Sequence, residues 1–238
     1  MRLIVYYLLS IVLMCLSCSS YSRDVTVLAS KWQHYTNEDE TGIYFDLLRL
    51  IYHESDLRIE ITDYHRCLNL FKQEKADILI GVYQSDLPKA HYAQWPLDKD
   101  APIFAFVHKE SPYNNLASLT NKTVAWQKGY GFDQFFNTIP NPYLVSDLET
   151  GFRLLQGKRV DAFFDYQLNY RPKEHTDVSF FKVHDAATLY LAFQNTKRGR
   201  LLAKIYDQRM PVLRQNGVLA SLFADRYLNS GLDEFVAH

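Results

Sequence analysis

Aromatic rings and scattered carboxylates are the residues of this chain that could do chemistry. Trp32 with Tyr35, Tyr83, and Trp126 each fall at or just past the end of an apolar run of strand length. Rings at strand ends suit a cleft that holds an organic ligand, and they equally suit ordinary packing. After Trp126 comes Gly129-Tyr130-Gly131, where backbone N–H groups opening a helix would meet an anion. Arg66 either reaches such a cleft or pairs locally with Asp63 or Glu60, and Asp46 reads as a helix-terminal acid. Of the 8 His, none stands in an HExxH or paired Cys/His spacing, so no metal site is indicated. No GxSxG elbow or Walker loop occurs, and no cofactor is implied. Cys15-Leu16-Ser17-Cys18 has a redox spacing but falls in an N-terminal apolar segment and is set aside. That leaves Cys67 alone in the body, without an intramolecular disulfide, as a buried structural thiol.

The elements that would position these residues alternate. Residues 25–29 form a buried strand run; Ile43, Leu47, Leu50 and Ile51 lie at helical spacing over 42–54; 57–61 alternate as a strand. A second helix over 65–74 and a strand over 78–82 complete a β-α-β-α-β order, which calls for parallel strands joined by right-handed crossovers. A turn-rich stretch over 84–101 leads to a strand at 103–107 that leaves the first unit. The order then repeats: strand 123–126, helix 132–137, strand 142–145, helix 148–155, strand 160–164, and a return strand at 189–193. Two helices, 197–214 with a kink at Pro211 and 218–229, close the chain. One α/β unit inserted into another predicts two lobes around a cleft, and open α/β sheets bind ligands at strand C-termini.

Composition narrows the classes. The 238 residues carry 26 Lys plus Arg against 27 Asp plus Glu, a net charge of -1, so no basic excess exists for nucleic acid. With 47% hydrophobic and 22% charged residues the chain is neither disordered nor collagen-like. Arg2, the uncharged run Leu3 to Leu16 and the small residues that follow read as a signal peptide over 1–22. An uncleaved anchor and a lipoprotein tethered through Cys18 are the alternatives. The apolar run is shorter than the roughly 20 residues a bilayer span needs.

Several loose motifs fall in an ordered series. These are Gly42-Ile43-Tyr44-Phe45-Asp46-Leu47-Leu48, Tyr64-His65-Arg66-Cys67-Leu68 followed by Lys75-Ala76-Asp77-Ile78, the stretch 85–96, Leu116-Ala117-Ser118-Leu119-Thr120-Asn121-Lys122-Thr123-Val124-Ala125, Gly157-Lys158-Arg159-Val160-Asp161-Ala162, and Val212-Leu213-Arg214-Gln215-Asn216-Gly217. In this order the chain resembles the bacterial extracellular solute-binding proteins of family 3, the periplasmic polar amino-acid-binding type. The resemblance implies an α/β, periplasmic binding protein-like type II fold, two α/β lobes joined by two crossing strands. Lobe one would be 24–107 plus 190–238 and lobe two 108–189. It implies a monomer in the periplasm that takes a small polar ligand, an amino acid or related, and hands it to an ABC transporter permease or a membrane sensor.

The resemblance also assigns site positions. Lys89 stands where the family has an Arg that forks onto the ligand carboxylate, a point charge in place of a fork. Gln84 matches the polar residue of the preceding loop. Tyr166, with Asp165 beside it, stands where the family has the Asp that takes the ligand ammonium. The clamp for an α-amino acid is therefore altered. Asn121, in an Asn-x-Thr sequon, replaces a family Gly at a left-handed turn position. A second class of function, an enzyme similar to periplasmic cyclohexadienyl dehydratases on the same fold, would draw its acid from Glu38, Glu40 or Asp165. The ligand set implied is thus Trp32, Arg66, Tyr83, Gln84, Lys89, Trp126, Asp165 and Tyr166.

Overall fold

The computed structural model describes residues 24–139 and 141–236; the expected leader, with Cys15 and Cys18, lies outside the described residues. The first unit is β1 (Val25–Ser30), α1 (Ile43–Ile51), β2 (Leu57–Thr62), α2 (Tyr64–Lys72) and β3 (Ile78–Val82). β1 is apolar without alternation because Val27 and Leu28 are both fully buried, one on each face. β2 and β3 flank it in parallel, Val27 opposite Ile59 and Ile78. The helical spacing of α1 buries Tyr44, Phe45, Leu47, Leu48 and Ile51 and leaves Asp46 and Arg49 to pair on the exposed side at 3.2 Å. Asp63 caps α2 by accepting the Arg66 N–H at 2.9 Å. Inside α2, Cys67 is buried and its thiol is pushed up to about 11 by that burial, as an inert structural cysteine requires.

The chain continues through β4 (His91–Tyr92), β5 (Asp98–Lys99), β6 (Ile103–His108), β7 (Val124–Gln127), β8 (Tyr143–Val145), α3 (Leu148–Gln156), β9 (Ala162–Tyr166), β10 (Val178–His184), β11 (Thr188–Phe193), α4 (Lys197–Gln215) and α5 (Val218–Phe223). One sheet has the order β2-β1-β3-β11-β4, with β5 on β11; the other has β10-β6-β9-β7-β8. The fold is thus two α/β lobes, each on its own sheet. The chain crosses between them twice, and the crossings run side by side. Lys99 pairs with Thr188, the Asp100 N–H donates to the Ala187 carbonyl at 2.7 Å, and Ile103 pairs with His184.

Four details differ from the sequence reading. The strand at 103–108, counted with lobe one by the expected boundary at 107, lies wholly in the second sheet, between β9 and β10. β10, unforeseen, alternates weakly and gains its place by pairing with β6 over Val178 to His184. The helix expected over 132–137 is a 3-10 turn at Phe132–Gln134, with Phe132 and Phe136 both buried in the lobe-two core. The helix expected over 218–229 stops at Phe223 and continues as a 3-10 turn from Ala224, whose φ is 46°. Asn121 adopts the left-handed φ of 59° that its turn needs. α4 runs on past Pro211 to Gln215.

Lobe two closes through a tight helix-on-sheet contact. A Cβ on Gly151 of α3 would sit 2.4 Å from the Phe163 ring, which is itself buried against Phe152 at 5.1 Å between centroids. With no room for the ring to retreat, overpacking outweighs the helix propensity a side chain would add. Gly151→Val is expected to lower unfolding stability by roughly 2 kcal/mol, read from the urea midpoint at unchanged slope.

Candidate functional site

Asp100 forms the floor of the cleft between the lobes. It sits at the first crossing, is buried, and its Oδ1 accepts the Ala101 N–H at 2.7 Å. Its Oδ2 accepts two phenols. Tyr83, just past the end of β3, donates at 2.6 Å, and Tyr166, the last residue of β9, donates at 2.9 Å. One carboxylate thus holds the strand ends of both lobes. Burial raises the Asp100 pKa, opposed by the Tyr83 hydrogen bond, the Ala101 N–H, Tyr166 and the more distant Arg226. Burial likewise pushes the Tyr83 and Tyr166 phenols far above their ordinary value, so both remain protonated donors.

Above this floor lies a cavity of about 110 Å³, several times what one water occupies. The lobe-one wall is Ser30, Lys31, Trp32, Tyr64 and Tyr83; the lobe-two wall is Gly129, Tyr130 and Tyr166. Tyr64 donates its hydroxyl to Asp86, which also accepts the Tyr83 N–H at 3.0 Å. Tyr130 lies against Tyr166 with centroids 5.5 Å apart. Trp32 is held by Tyr35 at 4.5 Å and by the edge of Tyr44 at 5.8 Å. A wider vestibule opens outward from the cavity over Glu38, Asp63, Gln127 and Lys128. Lys31, at the boundary, pairs with Glu38 at 2.9 Å. The lobes also touch directly: Ser85 donates to Gln134 at 2.8 Å, and Tyr83 meets the Phe135 ring edge-on at 5.0 Å.

Of the residues named from sequence, Trp32, Tyr83 and Tyr166 line the cavity. Gln84 is exposed beside it and does not line it. Trp126 is a correction: it is buried in the lobe-two core, against Phe164 at 6.1 Å, Phe136 at 6.2 Å and Phe132 at 6.3 Å. The residue falls inside β7 and not past its end, so its ring faces the core. Lys89 is exposed and lines a separate lobe-one groove with Phe71, Lys72 and Asp86. Arg66 is exposed on α2 outside the cavity lining. The three-residue turn after Gly131 is too short to present the helix N-terminus expected for an anion. Among the acids considered for catalysis, Glu38 and Glu40 are exposed, and Asp165 is fully buried outside the cavity lining. Sequence reasoning missed Asp100, Tyr64 and Lys31 as lining residues, and Tyr130 as a ring. The available signal was the alternation Asp98-Lys99-Asp100 just ahead of an apolar strand, which reads as a solvated turn until the crossing is known.

Among the described residues no trio of His, Cys, Asp or Glu is arranged to hold a metal, and no helix is long and apolar enough to cross a membrane. No family model matches the chain, and no curated protein matches it in sequence. Solved structures do match in fold. One is an ABC uptake transporter substrate binding protein from Streptococcus pneumoniae with bound histidine, at 13% identity and a TM-score of 0.66 over 87% of this chain and 94% of that one. Another is the GluR0 ligand-binding core from Nostoc punctiforme in complex with glutamate, at 16% identity and 0.66 over 85% and 98%. A third is the cysteine-binding protein from Campylobacter jejuni, at 16% identity and 0.62 over 86% and 89%. The chain shares the two-lobed fold of these solute-binding proteins.

Asp165 has a separate role behind the cavity wall. Its Oδ1 accepts the Tyr166 N–H at 2.7 Å and the Asn169 amide at 3.0 Å, while its Oδ2 is buried without a hydrogen bond. Burial raises its pKa to about 7, against the lowering by the Tyr166 N–H, Asn169 and the nearby Tyr130 hydroxyl. Between the ordinary carboxyl value near 3.9 and about 7, the native chain therefore binds more protons than the unfolded one. Stability contributed by this group is present at low pH and falls as pH rises through that window. Asp165→Asn keeps an acceptor for the same donors without the charge. It is expected to gain on the parent chain as pH rises from 4 to 8, by up to about 4 kcal/mol, measured by denaturant unfolding across that range.

Proposed function

We propose that this chain is a solute-binding protein of the extracellular family 3 type. It captures a small polar solute between a first lobe on the sheet of β1 and β11 and a second lobe on the sheet of β6 and β9, with the hinge at the paired crossings next to Asp100. The single observation that carries this reading is a cavity walled by both lobes over a carboxylate that both lobes hold. Shared fold with amino-acid-binding proteins, among them substrate-binding proteins of ABC transporters, supports the class. The leader read over 1–22 directs the chain to the periplasm, either free or tethered through Cys18, where it acts as a monomer. Its partner is a membrane permease of an ABC transporter or a sensor, to which the closed, loaded form is delivered.

Closure over a solute is expected to reduce the radius of gyration in small-angle scattering and to change tryptophan fluorescence. Trp32 lines the cavity, whereas Trp126 is in the lobe-two core and Trp95 is buried against Phe235 at 4.7 Å. The signal should therefore vanish in Trp32→Phe and survive in Trp126→Phe and Trp95→Phe, with the solute taken from a thermal-shift screen of amino acids, amines and organic acids. A radius of gyration that no screened solute changes would sink the reading.

A further inference from the structure

We propose that the solute is a primary amine, its ammonium seated on Asp100 and on the phenol oxygens of Tyr83 and Tyr166, with no carboxylate required. This rests on the solute-binding reading and narrows it.

Hydrogen-bond polarity is the first argument. A phenol has one proton to donate. Tyr83 and Tyr166 both give theirs to Asp100, and Tyr64 gives its own to Asp86. What these side chains can offer a ligand is lone pairs. A primary ammonium is the complementary group, with three N–H donors and no acceptor. A carboxylate, all acceptor, would meet acceptors.

Charge is the second. Asp100 is 5% exposed, and its hydrogen-bond partners are two phenols and a peptide N–H, all neutral. The nearby guanidinium of Arg226 is engaged with Asp98 at 3.4 Å and with the Lys99 carbonyl. A buried carboxylate held only by neutral donors is completed by a ligand cation, which also removes much of its burial cost. Trp32 and Tyr130 line the same cavity, and aromatic rings attract cations.

The third is what a carboxylate would lack. Lys31 is the one cation among the described residues lining the cavity, and it is already paired with Glu38, both side chains more than half exposed at 63% and 70%. Lys89 and Arg66 lie outside the lining.

Three five-carbon probes separate the possibilities: n-pentylamine, pentanoate and L-norvaline, which carry the ammonium, the carboxylate or both. Calorimetry at pH 7 is expected to rank pentylamine first, at least about tenfold tighter than either other probe. Asp100→Asn should weaken pentylamine about tenfold or more. Lys31→Met, on an exposed pair that the fold does not need, should tighten it about twofold by removing a like charge and freeing Glu38. If Asp100→Asn fails to fold by circular dichroism, the probe ranking and Lys31→Met decide. Norvaline or pentanoate binding tighter than pentylamine, no pentylamine binding up to millimolar concentration, or a loss of affinity in Lys31→Met each overturns the amine. The reading beneath it fails separately, if no solute of any class changes the radius of gyration.

Discussion

Both lobes meet on one carboxylate. Asp100 sits where the chain first crosses between the sheets, and it accepts a phenol from the end of β3 and another from the end of β9. Burying an acid is unfavourable, and each hydrogen bond to a charged group recovers about 1.5–3 kcal/mol. The arrangement is therefore stable only while both tyrosines reach the same oxygen. That requirement sets the distance between the two strand ends, and with it the height of the cavity above the floor. The peptide N–H of Asp100 donates in turn to the Ala187 carbonyl of the return crossing, so the floor is tied to both crossings.

Behind the hinge a second buried acid anchors the crossing to lobe one. Asp98 accepts the Tyr44 hydroxyl at 2.8 Å and faces Arg226 at 3.4 Å. Burial raises its pKa, and Arg226 and Tyr44 oppose the shift. Tyr44 belongs to α1 and Arg226 to the 3-10 turn after α5, so elements from both ends of the chain converge on a two-residue strand. The C-terminal segment is thereby part of the hinge's support. Arg226 also lies over the Tyr35 ring at 5.9 Å, and Tyr35 in turn packs at a tilt against Trp32 in the cavity wall. A packed path thus joins the crossing to the indole in the cavity wall.

The cavity wall shows how aromatic content acquires a polarity. With 17 Tyr the chain has many phenols, and a phenol can donate or accept. Here neighbouring carboxylates accept the O–H hydrogen bonds of Tyr64, Tyr83 and Tyr166, which leaves three ambivalent groups only lone pairs to offer a ligand. Site chemistry is decided by these second partners, each a carboxylate from a turn: Asp86 after β3 and Asp100 after β5.

Local pattern alone determined the two runs of alternating strands and helices and the parallel pairing within each, because periodicity acts over a few residues. It also placed Trp32 and Tyr83 at the cleft, since both follow strands whose C-terminal ends face it. Tertiary structure decided the rest. Trp126 looked equivalent to Trp32, but Trp32 lies two residues past the end of β1, whereas Trp126 lies inside β7 and packs into the lobe-two core. Lys89 and Arg66 sit on segments whose direction depends on packing, and both point elsewhere. β10 has no strong signal of its own and exists as a strand because β6 is there to pair with it. Asp100 reads in sequence as one more charge in a turn. Only the pairing of residues near 99 with those near 188, and the arrival of Tyr83 and Tyr166 from opposite lobes, make it the floor of a site, and contacts between residues that far apart along the chain leave no periodic trace in it.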